Sequence, residues 1–144
     1  MAHTILAIDD TKRILDIIKY FLENEGYNVK AAVDGETGLK LAQDGSVDLI
    51  LLDIMMPGMD GYAVCEKLKK DPKTKDLPII MLTAKAIIMH TPKDFFYGLY
   101  GFLAKPFSKD QLLKVVEDTL KVTKMPPDQR FIAPLESPHE EILP

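Results

Sequence analysis

The sequence of 144 residues contains a single cysteine, no tryptophan and no long uninterrupted hydrophobic run. The one cysteine, Cys65, excludes a disulfide bond within the chain and favours a reducing compartment. The apolar runs are far shorter than the roughly 20 residues that a membrane-spanning helix needs. Basic residues number 18 against 22 acidic ones, so the chain lacks the basic excess typical of nucleic-acid binding. We therefore expect a cytoplasmic protein with no direct contact to nucleic acid or membrane.

The negative charge is concentrated in the last twenty residues. Residues 1–124 hold 17 basic and 18 acidic side chains, whereas residues 125–144 hold one arginine and four acids. Five of the ten prolines also fall in residues 125–144, and proline disfavours regular helices and strands. We predict one domain over residues 1–124, followed by a proline-rich acidic tail or linker over residues 125–144. If the tail docks on the domain or on a partner, its apolar contacts would be Phe131, Ile132 and Leu135.

Short apolar runs alternate with helical stripes of apolar residues along the predicted domain. This alternation is typical of βα units that build a parallel, doubly wound sheet, so we predict an α/β fold with five strands. The third and fourth runs are apolar almost throughout, as expected of central strands that are buried on both faces. The strand candidates are residues 4–8, 27–33, 47–53, 77–83 and 100–104.

The limits of two helices can also be predicted. The third helix should end at Asp71-Pro72, because the residue before a proline disfavours the helical conformation. The last helix should begin at Ser108, which forms a capping-box pattern with Gln111, and should end near Lys124.

The segment between the fourth and fifth strand candidates contains a proline at an unusual place. A proline inside a helix costs about 3 kcal/mol or more, whereas a proline at the first helical position is well tolerated. Because of Pro92, we predict an irregular or extended segment over residues 85–90. A short, atypical fourth helix should follow over about residues 92–97 and end at Gly98.

Five aromatics follow Pro92, and those left exposed would mark a dimer or partner surface: Phe95, Phe96, Tyr97, Tyr100 and Phe102.

Polar side chains lie at the ends of four strand candidates. Asp9 and Asp10 follow the first strand, and Asp53, Thr83 and Lys105 end or follow the third, fourth and fifth. Because ligands bind at the carboxyl ends of the strands in doubly wound sheets, these side chains should form one site. Mg²⁺ prefers oxygen ligands, so Asp10 and Asp53 are candidate ligands. A cation there would keep Asp53 ionised as a nucleophile, while Lys105 and Thr83 would contact a phosphoryl group.

The order and spacing of these groups resemble the receiver domain of two-component response regulators over about residues 3–124. An acidic pair is followed by an aspartate before "MMPGMDG", then by "LTAK" and "KPF". The spacings of 30 residues from Asp53 to Thr83 and 22 from Thr83 to Lys105 are similar to those of the family. The resemblance implies a flavodoxin-like fold with strand order 2-1-3-4-5. It also implies a signalling switch that accepts a phosphoryl group from a sensor histidine kinase or phosphotransfer protein.

The resemblance implies the roles of the residues around the nucleophile. Asp53 would be the phosphoacceptor, and the protein would assist its own phosphorylation and dephosphorylation without being a turnover enzyme. Gly58 and Gly61 would shape the turn beside Asp53. The implied Mg²⁺ ligands are Asp9, Asp10, Asp53 and the backbone carbonyl of Met55.

The resemblance also implies the parts that transmit the signal. Thr83 would be the switch hydroxyl, and Phe102 the aromatic side chain that changes position with it. Lys105 would contact the phosphoryl group, and the Lys105-Pro106 peptide bond would be cis. Phe102 has no hydroxyl with which to stabilise one of its positions, so the coupling would differ from that of a tyrosine.

Two other functions remain open from the sequence. The chain would be a phosphate-independent interaction module if residues 85–102 bind a partner without any phosphoryl chemistry. It would be a Mg²⁺-dependent phosphatase if Asp53 were an aspartyl nucleophile in turnover, although such enzymes commonly carry a second aspartate where this chain has Met55. Taken alone, Asp10 would be a helix N-cap. If the chain is the signalling switch that the resemblance implies, residues 85–102 and the last helix are candidate surfaces for a homodimer or an effector protein.

Overall fold

The structure is a computed structural model and describes residues 2–90 and 99–123. Within these ranges, five strands alternate with five helices. The strands are β1 (Thr4–Ile8), β2 (Asn28–Ala32), β3 (Leu49–Asp53), β4 (Ile79–Ala84) and β5 (Gly101–Lys105). The helices are α1 (Lys12–Glu23), α2 (Gly35–Ala42), α3 (Gly61–Lys70), α4 (Lys85–His90) and α5 (Lys109–Thr123). None of the helices in these ranges is long and apolar enough for a membrane span.

The five strands form one parallel sheet in the order β2-β1-β3-β4-β5. This order confirms the predicted doubly wound, flavodoxin-like α/β fold. The chain forms β2 on one side of β1 and then returns to form β3 on the other side. β1 and β3 are therefore neighbours, with Ile8 opposite Leu52. The residues that follow β1 therefore lie beside the end of β3, at the kind of crevice where doubly wound sheets bind ligands.

Two hydrophobic layers cover the sheet. Successive side chains of β3 point to opposite faces, so Ile50 and Leu52 pack with α2, α3 and α4, while Leu49 and Leu51 pack with α1 and α5. Every residue of β3 is buried, which explains why its sequence is apolar rather than alternating. The single acid in that strand, Asp53, stands at its carboxyl end.

Local signals set the end of α3 and the start of α5, as predicted. α3 ends at Lys70, immediately before Asp71-Pro72. The capping box before α5 is present, since the Ser108 N–H donates to Gln111 Oε1 at 2.9 Å and the Gln111 N–H donates to Ser108 Oγ at 3.1 Å. α5 continues to Thr123, the last residue that the structure describes.

The prediction for residues 85–90 was wrong, because this segment is helical and forms α4. Ile88 is fully buried, and Ile87 and Met89 pack beside it against the core, so tertiary burial favours a helical turn here. Pro92 lies two residues beyond α4, and proline mainly restricts the residue directly before it. The helix predicted over about 92–97, most of the aromatic cluster and the tail lie outside the described residues.

Candidate functional site

Three carboxylates converge at the carboxyl edge of the sheet, and we call Asp9, Asp10 and Asp53 the acidic site. One oxygen from each lies within 4.8 Å of the others. Asp9 is fully buried and Asp53 is 3% exposed, whereas Asp10 faces solvent. Adjacent pairing of β1 with β3 explains this proximity. Buried carboxylates so close together repel unless positive charge compensates them, and oxygen donors with one solvent-facing member fit Mg²⁺.

Lys105 supplies positive charge to the acidic site. Its Nζ lies 2.5 Å from Asp9 Oδ2 and 3.5 Å from Asp53 Oδ2. The side chain reaches past β4, where Ala84 is the register partner of Lys105. The Lys105-Pro106 peptide bond, for which the resemblance implies the cis form, is cis.

The pKa of Asp53 is raised to about 6. The main cause is burial, which disfavours the charged form, and the neighbouring Asp9 carboxylate adds to it. Lys105 and the Met55 N–H, which donates to Asp53 Oδ1 at 3.2 Å, oppose this rise only in part. Without further positive charge, Asp53 therefore takes up a proton at a higher pH than an ordinary aspartate.

The β3–α3 loop is held closely against the end of β3. Gly58 has a φ of +76°, a conformation that favours glycine. A Cβ on Gly61 would collide with the Asp53 carbonyl oxygen and would lie 2.6 Å from the Ile54 Cα. The Gly61 N–H also donates to the Ile54 carbonyl at 2.9 Å. This close approach keeps the Met55 backbone beside Asp53, while the Met55 side chain is 59% exposed.

Thr83 and Phe102 lie on the two strands beyond β3. Asp53 is opposite Leu82 in the β3–β4 register, so Thr83 is one residue past that partner and shares the carboxyl edge with Asp53. Thr83 is buried, at 2% exposure. Phe102 is opposite Met81 and is partly buried against the core that α2, α3 and α4 cover.

The structure also identifies the residue before α1. That residue is Thr11, whose N–H donates to Asp9 Oδ1 at 2.8 Å, so Asp10 does not have the N-cap role considered for it. Both oxygens of the Asp9 carboxylate are thus engaged, one by the Thr11 amide and one by Lys105. Sequence reasoning did not anticipate either contact, since no local pattern connects Asp9 with Lys105.

The family model of the response regulator receiver domain matches residues 5–117. The DNA-binding dual master transcriptional regulator RpaA of Synechocystis sp. is 40% identical over 139 residues, which cover 96% of this chain and 55% of RpaA. The probable transcriptional regulator ycf29 of Porphyra purpurea is 33% identical over 120 residues, which cover 83% of this chain and 57% of ycf29. The chain thus spans about half the length of these curated relatives.

Solved structures share the fold. A putative response regulator from Chloroflexus aurantiacus has a TM-score of 0.76 and 34% identity, with 84% of this chain and 99% of that chain covered. The chemotaxis protein CheY4 of Vibrio cholerae has a TM-score of 0.74 and 31% identity, with 83% of this chain and 99% of that chain covered. The sheet order and the helix layers described above are therefore those of known receiver structures.

Proposed function

This chain belongs to the response regulator receiver domain family of two-component systems, and from that premise we propose that it is a phosphorylation-dependent switch. In this proposal, Asp53 accepts a phosphoryl group in the presence of Mg²⁺, and the donor is the phosphohistidine of a sensor histidine kinase or phosphotransfer protein. The observation that carries the proposal is the placement of the buried Asp53 carboxylate between two further acids and the Lys105 ammonium.

The acidic site offers ligands for Mg²⁺. Asp9, Asp10, Asp53 and the Met55 carbonyl are the groups that would hold it, directly or through water. Bound there, Mg²⁺ would supply the positive charge that offsets repulsion between the carboxylates and the phosphoryl oxygens. The raised pKa of Asp53 supports this assignment, because a carboxylate that is short of positive charge gains from a cation.

The transfer itself uses an oxygen of Asp53. That oxygen attacks the phosphorus atom, the bond between phosphorus and the donor's imidazole nitrogen breaks, and its electron pair stays on the nitrogen. Lys105 and Thr83 then stabilise the phosphoryl oxygens by a charge-assisted and a neutral hydrogen bond. Hydrolysis of the acyl phosphate by water later restores Asp53, so the protein assists its own phosphorylation and dephosphorylation without acting as a turnover enzyme.

The signal would leave the site through β4 and β5. A hydrogen bond from the Thr83 hydroxyl to a phosphoryl oxygen draws Thr83 towards Asp53, and Phe102 on the next strand adjusts its packing. Residues 85–102 and α5 are the surfaces through which an effector protein or a second copy would read this change. RpaA is named as a DNA-binding transcriptional regulator. We propose that this chain likewise controls transcription, although the receiver domain itself makes no contact with DNA.

Other features of the chain agree with this function. An aspartyl phosphatase of the kind considered above would need an acid at position 55, where the exposed side chain is that of methionine. A cytoplasmic location, where two-component receivers meet their kinases, is supported by Cys65, which is a buried free thiol.

The first test is intact-protein mass after incubation with acetyl phosphate and Mg²⁺. We expect one phosphoryl adduct on the wild type, and none on Asp53→Asn or after chelation of the metal. Asp60→Asn is the matched control, because Asp60 lies in the same loop, caps α3 through the Ala63 N–H and keeps that role as asparagine. An adduct that persists on Asp53→Asn, or that forms equally without Mg²⁺, would overturn the proposal.

A further inference from the structure

A cluster of exposed lysines lies at the edge of the sheet opposite the acidic site. The members of this lysine cluster occupy the second half of α3 and the loop after it: Lys67, Lys69, Lys70, Lys73 and Lys75. Lys70 pairs with Glu66 at 2.7 Å. By contrast, Lys67, Lys73 and Lys75 form no ion pair within 4 Å in the part of the chain that the structure describes.

Helix stability accounts for only part of the cluster. Lysines in the last turn of α3 complement the partial negative charge of the helix carbonyls. Lys73 and Lys75, however, lie beyond the end of the helix. The nearby acid Asp71 is already engaged, since it accepts the Lys73 N–H at 2.9 Å and the Gln43 Nε2 at 3.2 Å. Asp76 is a further exposed acid beside Lys75, so residues 66–76 hold five lysines against Glu66, Asp71 and Asp76 and keep a net charge of +2 at this surface.

The tail of the chain begins at the same edge of the sheet. In a parallel sheet, every helix returns the chain from the carboxyl edge to the amino edge, so α3 and α5 both end at the amino edge. The last residue of α5, Thr123, is followed by the acidic tail. The lysine cluster belongs to the α2, α3 and α4 layer, whereas α5 belongs to the other layer, so the tail has to pass around the sheet to reach the cluster.

Charge and length both allow this path. The tail carries Asp128, Glu136, Glu140 and Glu141 against the single Arg130. A chain of this length can extend to about 70 Å, compared with a radius of gyration of about 13 Å for a domain of 100 residues. Exposed ion pairs are individually weak, but tethering raises the effective concentration of the tail to the millimolar range. Weak pairs are then sufficient for contact.

We propose that the lysine cluster is the docking site for the acidic tail of this same chain, through residues 128–141. The contact is electrostatic, intramolecular and strongest at low ionic strength. It does not depend on phosphorylation, because the cluster and the acidic site lie at opposite edges of the sheet. This contact would fix the direction in which residues 125–144 leave the domain.

The test uses the full chain and a zero-length carbodiimide, which joins lysine ammonium groups to carboxylates that are in contact. In the monomer, we expect cross-links from Lys67 to acids of the tail. The double variant Lys73→Glu/Lys75→Glu keeps Lys67 as a reporter and should lower the yield of those cross-links by about fivefold or more, as should raising the salt towards 1 M. The matched control is Arg13→Glu/Lys19→Glu, which makes the same change of charge on the exposed face of α1 and should leave the yield unchanged.

Nuclear magnetic resonance gives an independent measurement of the contact that does not require cross-linking. The amide resonances of residues 128–141 should shift in the same direction on addition of salt and in Lys73→Glu/Lys75→Glu, and should not shift in the control variant. The proposal is overturned if the cross-links join two copies, if they are spread over all exposed lysines, or if the tail resonances respond to neither salt nor the variant. Binding of a short DNA duplex to the cluster in preference to the tail would also overturn it. All variants should still form the Asp53 adduct, so a failure here is distinct from a failure of the proposed switch.

Discussion

Lys105 Nζ lies 2.5 Å from Asp9 Oδ2 and 3.5 Å from Asp53 Oδ2, so the lysine is bound more closely to the buried acid that follows β1 than to the candidate phosphoacceptor. Asp9 is fully buried, and an ionised carboxylate there depends on the ammonium and on the Thr11 amide for compensation. In the proposed switch, the same ammonium would contact the phosphoryl group, and in the structure it compensates the charge of the buried Asp9.

The first prediction concerns that stabilising role. Lys105→Ala should lower the free energy of unfolding by about 3 kcal/mol when metal is absent, because it leaves the buried Asp9 carboxylate without its ion-pair partner. Urea unfolding in the presence of a chelator measures the loss. Lys109→Ala is the control, since Lys109 and Glu25 form an exposed pair at 3.8 Å whose loss should cost less than about 1 kcal/mol. Equal effects of the two variants would contradict a special role for the Lys105–Asp9 pair.

The second prediction follows from the raised pKa of Asp53, about 6 in the folded protein. A carboxyl group whose pKa is higher in the folded than in the unfolded state binds its proton more tightly when folded. Its contribution to stability is fully present below about pH 4 and is lost as the pH rises to about 6, a total of about 3 kcal/mol. Asp53→Asn does not titrate, so its stability advantage over the wild type should grow between pH 4 and 6 and stay constant above.

Urea unfolding at a series of pH values, without metal, checks this second prediction. Asp60→Asn serves as the control and should show no such growing difference. Because Mg²⁺ would compensate the charge of Asp53, adding it should shrink the difference between Asp53→Asn and the wild type above pH 6. A difference that does not change with pH would show that Asp53 titrates like an exposed aspartate.

The third prediction concerns the close approach of Gly61 to the end of β3. Gly61→Ala introduces a Cβ that collides with backbone atoms of Asp53 and Ile54, which cannot give way as a flexible side chain can. We expect a loss of stability of about 1–3 kcal/mol and weaker Mg²⁺ binding by titration calorimetry, because the Met55 carbonyl is displaced. Gly101→Ala is the control: its Cβ would lie 3.5 Å from Val115, an ordinary contact. Unchanged metal affinity in Gly61→Ala would contradict the role given to the loop.

The fourth prediction concerns the lifetime of the phosphorylated state. The exposed Met55 side chain follows Asp53 by two residues and is bulky enough to hinder an attacking water. Met55→Asn should therefore speed dephosphorylation severalfold, measured as the decay of the phosphoryl adduct by intact mass. Tyr20→Asn, at an exposed position on α1, should leave the decay unchanged. An unchanged rate of dephosphorylation in Met55→Asn would show that the Met55 side chain does not control the lifetime of the phosphorylated state.

Much of the fold could be read from local patterns. The five strand candidates overlap β1 to β5, because runs of apolar residues report burial in a parallel sheet directly. The end of α3 at Asp71-Pro72 and the capping box of Ser108 and Gln111 were predicted for a similar reason, since proline and capping side chains act on the backbone within a few residues.

The fourth helix shows where local reasoning fails. The effect of Pro92 was extended to residues 85–90, but these residues form α4 because Ile88 is buried in the core. Helix propensity and a distant proline are weak determinants when tertiary packing offers a buried position to an apolar side chain.

The sequence by itself determined which groups meet at the carboxyl edge, because the strand ends follow from hydrophobic periodicity and the strand order from the resemblance carried by the motifs. Asp9, Asp10 and Asp53 do lie together, with Thr83 at the same edge. Only the tertiary structure decided how these groups interact: Lys105 reaches across β4 and β3 to Asp9, and burial beside Asp9 raises the pKa of Asp53. The physical reason is that ion pairing and desolvation depend on distances of a few ångströms between distant parts of the chain, which no local pattern encodes.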